Sequence, residues 1–172
     1  MKLSIKEIAI FGMLGALMYA SKMLMEFMPN VHLIGVFIVA MTLVYRFKAL
    51  YPIYIFVLLT GLFNGFGIWW WPYLYIWLPL WGAAMLLPKK LPKFAAPFIY
   101  MAVCGLHGLC YGTIYAPYQA AVFLHFDLNK TLAWIAAGFP WDCVHGASNF
   151  ILGALIIPIA TVLKRAEKDK AM

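Results

Sequence analysis

Long apolar runs separated by short polar breaks set the pattern of this chain. About 20 consecutive apolar residues cross a bilayer core as a helix. On that measure the sequence predicts six helical spans, over roughly residues 6–25, 31–47, 49–66, 69–87, 94–116 and 131–163. The breaks are Met28-Pro29-Asn30, Tyr45-Arg46-Phe47-Lys48, Asn64-Gly65-Phe66-Gly67, the Pro- and Lys-rich stretch 87–93, and residues 125–130. Pro117 suggests that the fifth span frays within 115–119, with residues 120–129 forming an outer loop or re-entrant piece. The expected fold is therefore all-α: one integral membrane domain over 1–172, with six transmembrane helices. The first apolar run is longer than a signal-peptide core and lacks a small-residue cleavage site, so it is expected to stay as the first span.

Composition agrees, since 66% of the residues are hydrophobic, 17% aromatic and only 11% charged. That exceeds what a soluble domain of this length buries. The net charge of +7 changes the picture only through its placement. Of the 13 Lys and Arg, all but Lys22 and Lys130 fall on one side of the six-span arrangement. This is the positive-inside pattern, with both termini cytoplasmic. It accounts for the basic excess by topology and phospholipid contact, and no nucleic-acid partner is expected. Cys104, Cys110 and Cys143 fall within spans and read as small packing residues; no CxxC spacing for zinc or haem attachment occurs.

The polar residues inside the runs carry the candidate chemistry. Asp142, His145 and Asn149 fall within about 60° of one another at roughly 100° per residue, with Gly138, Gly146 and Gly153 on the same side. Ionisable groups in a membrane are costly and mark functional sites. Two readings stand for this trio: a wall facing a ligand, or an internal network in which Asp142 and His145 bond each other. In the fifth span His107, Tyr111 and Tyr118 oppose a smooth stripe of Gly105, Gly108, Gly112 and Ala116. The aromatic connection 64–75 offers Asn64, Trp71 and Tyr75, where an inward ring could stack on a flat ligand, and Trp141 adjoins Asp142 in the last span. Glu26 and Asn30, with His32 beside them, stand at the outer end of the first span. On that span Ala9, Gly12, Ala16 and Ala20 form a small-residue stripe within roughly 80° of arc, suited either to packing within the bundle or to docking a partner's helices.

Catalytic readings find less support. Asp142 is the only acid well inside a span, so an aspartate dyad is excluded, and Ser148 lies off the face of His145 without a GxSxG elbow. An intramembrane enzyme, or a haem or electron-transfer protein using Asp142, His107 and His145, is the alternative to small-molecule binding. A mostly apolar pocket with a few fixed polar groups fits the pattern better. No metal site and no cofactor is expected.

The chain also resembles a known family, the substrate-binding S components of energy-coupling factor transporters. The resemblance rests on the six-span, ends-inside pattern over the whole length, and on Ala16-Leu17-Met18-Tyr19-Ala20 preceded by Gly12. It rests further on Leu33-Ile34-Gly35 after Pro29-Asn30, and on Gly138-x-Pro140-x-Asp142-x-x-His145-x-x-x-Asn149-x-x-x-Gly153. It implies a multi-pass subunit in a prokaryotic plasma membrane that binds one vitamin or precursor from outside. The first-span stripe would dock onto a transmembrane coupling protein driven by two ATPases. The chain has no GxxxxGK[ST], in keeping with that division of labour. Nickel- and cobalt-specific relatives carry a histidine directly after the initiator methionine; Lys2 stands there, which implies a non-metal cargo. A thiamin precursor, flavin, pterin, corrin or other ring compound suits the aromatic content equally.

Overall fold

The computed structural model describes residues 3–88 and 90–168. Lys2, Lys89 and Lys170 of the basic set lie outside the described residues. Those described form helices and turns, with no strand among them. The α-helices are α1 (Ile5–Leu24), α2 (Ile34–Tyr45), α3 (Leu50–Asn64), α4 (Leu78–Leu86), α5 (Ala95–Leu109), α6 (Tyr111–Val122), α7 (Leu128–Leu152) and α8 (Ile156–Lys168). Short 3₁₀ turns lie at Arg46–Ala49, Ile68–Leu74 and Gly153–Leu155. Four helical stretches are long and apolar enough to cross a membrane: Ile5–Leu24, Ile34–Asn64, Ala95–Val122 and Leu128–Glu167.

Local chemistry sets the boundaries. Ser4 and Glu7 form a capping box that starts α1, each satisfying a backbone N–H of the other. Asp127 starts α7 by accepting the Lys130 N–H at 3.0 Å, which holds its carboxyl below the usual range. Arg46 ends α2 with a left-handed φ of 54°, and the chain turns there. The Ile34–Asn64 stretch is thus two helices running in opposite directions. Lys48 pairs with Glu7 at 2.6 Å near the start of α1, while the Tyr19 hydroxyl reaches Asn64 at 3.0 Å near its end. α3 therefore runs parallel to α1. α2 leaves the far end of α1 and returns to bring Tyr45 against Phe11, with ring centroids 5.1 Å apart.

α5 and α6 continue one another through a break at Cys110, and they pack antiparallel to α7. Two expectations are corrected here. α6 runs unbroken through Pro117 to Val122, so the helix does not fray at 115–119. The outer loop is confined to 123–127, and Cys110 marks a break between two helices inside the Ala95–Val122 stretch. A proline inside a helix is tolerated where neighbouring helices re-satisfy the backbone.

α2 is the most enclosed element, with ten of its twelve residues buried. A helix apolar all round belongs at the centre of a bundle. Met13, Leu62, Phe98, Leu106 and Ile151 are exposed at the periphery. A large exposed apolar surface marks a membrane or protein contact. The start of α1, the turn at Arg46, the start of α5 and the end of α8 share one end of the bundle, called here the basic end. The loop 25–33 lies at the opposite end, where the Ser148 hydroxyl of α7 reaches the Asn30 carbonyl at 2.9 Å.

Candidate functional site

Beneath the 25–33 loop, buried polar side chains meet from four segments. His145 and Asn149 project from α7 one turn apart and are 2% and 0% exposed. His107 comes from α5, Trp77 from the residue before α4, and His32 from the loop itself. The rings pack edge to face, except for the tilted pair Trp77–His107. His145 lies 4.8 Å from both His32 and Tyr111 by centroid, and Trp77 lies 6.3 Å from His32 and 5.9 Å from His107. Tyr73 and Phe56 close the side behind Trp77.

Close backbone approach makes room for this arrangement. A Cβ on Gly108 would sit 2.7 Å from the His145 carbonyl oxygen and 2.9 Å from Asn149 Nδ2. Real Cβ contacts do not come that near, so α5 and α7 touch only because position 108 lacks a side chain. Gly35 of α2 faces the same amide, with a Cβ position 3.6 Å from Nδ2.

The cluster is short of hydrogen-bond partners. Eight buried side-chain polar atoms among the described residues have none, and seven are here: His32 Nδ1, Trp77 Nε1, His107 Nδ1, both ring nitrogens of His145 and both amide atoms of Asn149. His107 Nε2 lies 2.9 Å from the Ile76 carbonyl. A carbonyl only accepts, so in the neutral ring Nε2 carries the proton and Nδ1 is an open acceptor. Each unmet buried group costs about 1–3 kcal/mol, and native proteins carry only a few per 100 residues. Their concentration in one place makes this cluster the candidate site. Burial also holds His32, in its loop, down to about 4, so that ring is neutral at physiological pH.

Asp142 belongs to a different arrangement. Both its oxygens accept the backbone N–H of Gly112, at 3.0 and 3.2 Å. The carboxylate therefore caps the first turn of α6 where the chain breaks at Cys110. The internal Asp142–His145 bond is not formed: Asp142 is engaged with Gly112, and His145 has no hydrogen-bond partner.

The other candidates are dispersed. Trp141 is 60% exposed and points out of the bundle. Trp71 is exposed beside Trp70, and Tyr75 makes a long contact of 3.4 Å with the Tyr115 carbonyl. Asn64 accepts from Tyr19 at the surface. Glu26 is exposed, and Asn30 takes part through its carbonyl. Only His107, Tyr111, His145 and Asn149 of the candidate set meet in the cluster, joined by His32, Trp77 and Tyr73. Sequence reasoning placed His32 in an interfacial loop and left out Trp77. The 3₁₀ turn before it shifts the side-chain period away from 100° per residue.

On α1, Phe11, Leu14, Gly15 and Met18 face the bundle, whereas Ala9, Ala16 and Ala20 are exposed and Gly12 has open space around it. Ala16 and Ala20 line a shallow apolar groove of about 530 Å³ with Leu163 and Ala166 of α8. The stripe thus lies on the open side of α1, along a groove beside α8, rather than packed inside the bundle.

Among the described residues no three His, Cys, Asp or Glu side chains converge as a metal site. The chain matches no family model, no curated protein and no solved structure.

Proposed function

We propose that this protein is a membrane-embedded binding subunit for uptake of a small ring compound of the vitamin or vitamin-precursor class. The observation that carries this reading is the buried cluster of seven unpartnered polar atoms set among aromatic rings. An apolar site with a few fixed donors and acceptors is the form expected of a small-molecule pocket. The cluster has no formal charge of its own, because Asp142 is committed to Gly112. It therefore suits an uncharged heteroaromatic edge carrying both donors and acceptors. The Asn149 amide supplies one of each, and Trp77 and Tyr111 supply faces for stacking. The rings fill the site against one another, so entry separates them and lifts the 25–33 loop from Ser148.

The membrane arrangement we infer has six crossings with both ends cytoplasmic. The alternating helix directions support it, as does the gathering of Arg46, Lys48, Lys93 and Lys164 at one end. α2 and α4 are too short to cross alone, so the short passes lie inside the longer ones. The loop 25–33 then faces outward, and cargo arrives from outside the cell. The outward-facing stripe of Ala9, Gly12, Ala16 and Ala20 is the surface we assign to a transmembrane coupling protein, itself driven by two ATPases. The host is a prokaryotic plasma membrane.

The test uses full-length protein purified from membranes of cells grown in rich medium, then denatured and its extract analysed by mass spectrometry. The expected result is one ring-containing compound in near-stoichiometric amount, absent from the Asn149→Leu variant. That variant replaces two unmet polar atoms by apolar ones of similar size and keeps or raises thermal stability. An empty wild-type extract, or the same compound released by Asn149→Leu, would overturn the reading.

A further inference from the structure

At the basic end, away from the histidine cluster, a second pocket of about 600 Å³ lies between the end of α2, the connection before α5, and α8. Among the described residues three cations line it, Arg46, Lys93 and Lys164, and no carboxylate does. Glu167, one turn beyond Lys164, is outside the lining. Each cation is followed one turn deeper by an apolar residue: Arg46 by Leu43, Lys93 by Ala96, Lys164 by Ala160. Tyr100 and Thr161 add hydroxyls to the lining. The pocket is thus amphiphilic, with a cationic mouth over an aliphatic floor.

Arg46 is built into this position. Its φ of 54° is unusual for a residue with a side chain and requires the surroundings to hold it. The Trp81 indole N–H donates to its carbonyl at 3.3 Å, and its guanidinium donates to the Met85 carbonyl at 2.6 Å. A guanidinium has five N–H donors in a fixed fork that matches phosphate oxygens, and Met85 takes one.

We propose that this pocket holds the phosphate of an acidic phospholipid, with an acyl chain lying along Leu43, Ala96 and Ile157. Basic pockets between helices at the cytoplasmic face take anionic head groups. The apolar floor favours a lipid over a soluble phosphate, which would leave that floor uncovered. The inference rests on the membrane reading of the chain and is independent of the cargo and coupling-protein readings.

Native mass spectrometry of full-length protein released from nanodiscs of equal phosphatidylglycerol and phosphatidylcholine tests it. Phosphatidylglycerol is expected to stay bound preferentially. Its affinity is expected to fall by roughly fivefold per neutralised cation in Lys93→Gln/Lys164→Gln. Both lysines are exposed, so the double variant keeps the fold and the Arg46 contacts. Lys130→Gln, at the other end, is expected to change nothing. Equal retention of both lipids, or unchanged phosphatidylglycerol on the double variant, would overturn the proposal. Glycerol 3-phosphate bound as tightly as the lipid would overturn the lipid as the source of the phosphate. Protein that needs no detergent for extraction would sink the membrane reading instead.

Discussion

Asp142 and His145 stand three residues apart on one helix face, yet the structure gives them different work. Asp142 closes the α5–α6 junction through Gly112, and His145 faces His32 and Tyr111 with both nitrogens unmet. Substituting each by alanine should therefore give different phenotypes. Asp142→Ala leaves a buried N–H unpaired and is expected to cost about 1–3 kcal/mol of stability, read as a lowered melting temperature in detergent. His145→Ala is expected to weaken cargo binding at least tenfold with a smaller change in melting temperature. Equal effects on both readouts would contradict the division. His32 adds a pH signature. Its folded value of about 4 lies below the ordinary histidine value of 6.5, so the unfolded chain takes up the proton first as pH falls. Its contribution is complete above pH 6.5 and is lost as pH drops toward 4. Lys22 and His107 oppose its protonation in the same direction. Thermal melts between pH 7 and 4 should fall more steeply for wild type than for His32→Phe; parallel curves would refute this.

At the scale of elements, two helix contacts carry the account. α5 and α6 meet α7 through Gly105, Gly108 and Gly112 against Gly146, the His145 carbonyl and Asp142. Gly108→Ala pushes a Cβ to 2.7 Å from that carbonyl, where backbone has to move. Overpacking of this kind typically costs about 1–3 kcal/mol, and it should reduce cargo binding because His145 and Asn149 shift together. Wild-type affinity and melting temperature would contradict it. α1 offers the opposite case, since Ala9, Ala16 and Ala20 are exposed and Gly12 has open space around it. Ala16→Trp should leave stability and cargo content unchanged while abolishing co-purification with a transmembrane partner and ATP-driven uptake. Continued uptake would refute the docking assignment.

Much of this geometry was legible in the 3.6-residue period. The spacing of His145 and Asn149, the Gly stripe of α5 and α6, and the stripe on α1 all follow from it. The Arg46 break was visible as a polar interruption, although its left-handed turn was not. What escaped was non-periodic or non-local. His32 sits in a loop, and Trp77 follows a 3₁₀ turn. The partner of Asp142 is a backbone N–H thirty residues away, which no side-chain pattern announces. Trp141 failed for a plainer reason: it adjoins Asp142 in sequence, but its direction, roughly 100° away, takes it out of the bundle.

For the molecule as a whole, the two ends of the bundle are chemically distinct. The basic end carries Arg46, Lys48, Lys93 and Lys164, and the other gathers neutral polar atoms under a short loop. This asymmetry suits a subunit that accepts an uncharged compound on one side and rests against anionic head groups on the other. The central claim is that the His32, Trp77, His107, His145 and Asn149 cluster is completed by cargo. Buried water is the competing way to satisfy such atoms. An experimental structure of the full-length protein, purified from its own membranes without added ligand, tests this most directly. The account predicts non-protein density shaped like a ring, in hydrogen-bonding contact with the Asn149 amide and His145. A chain of ordered waters bonding those same atoms in that protein would contradict it.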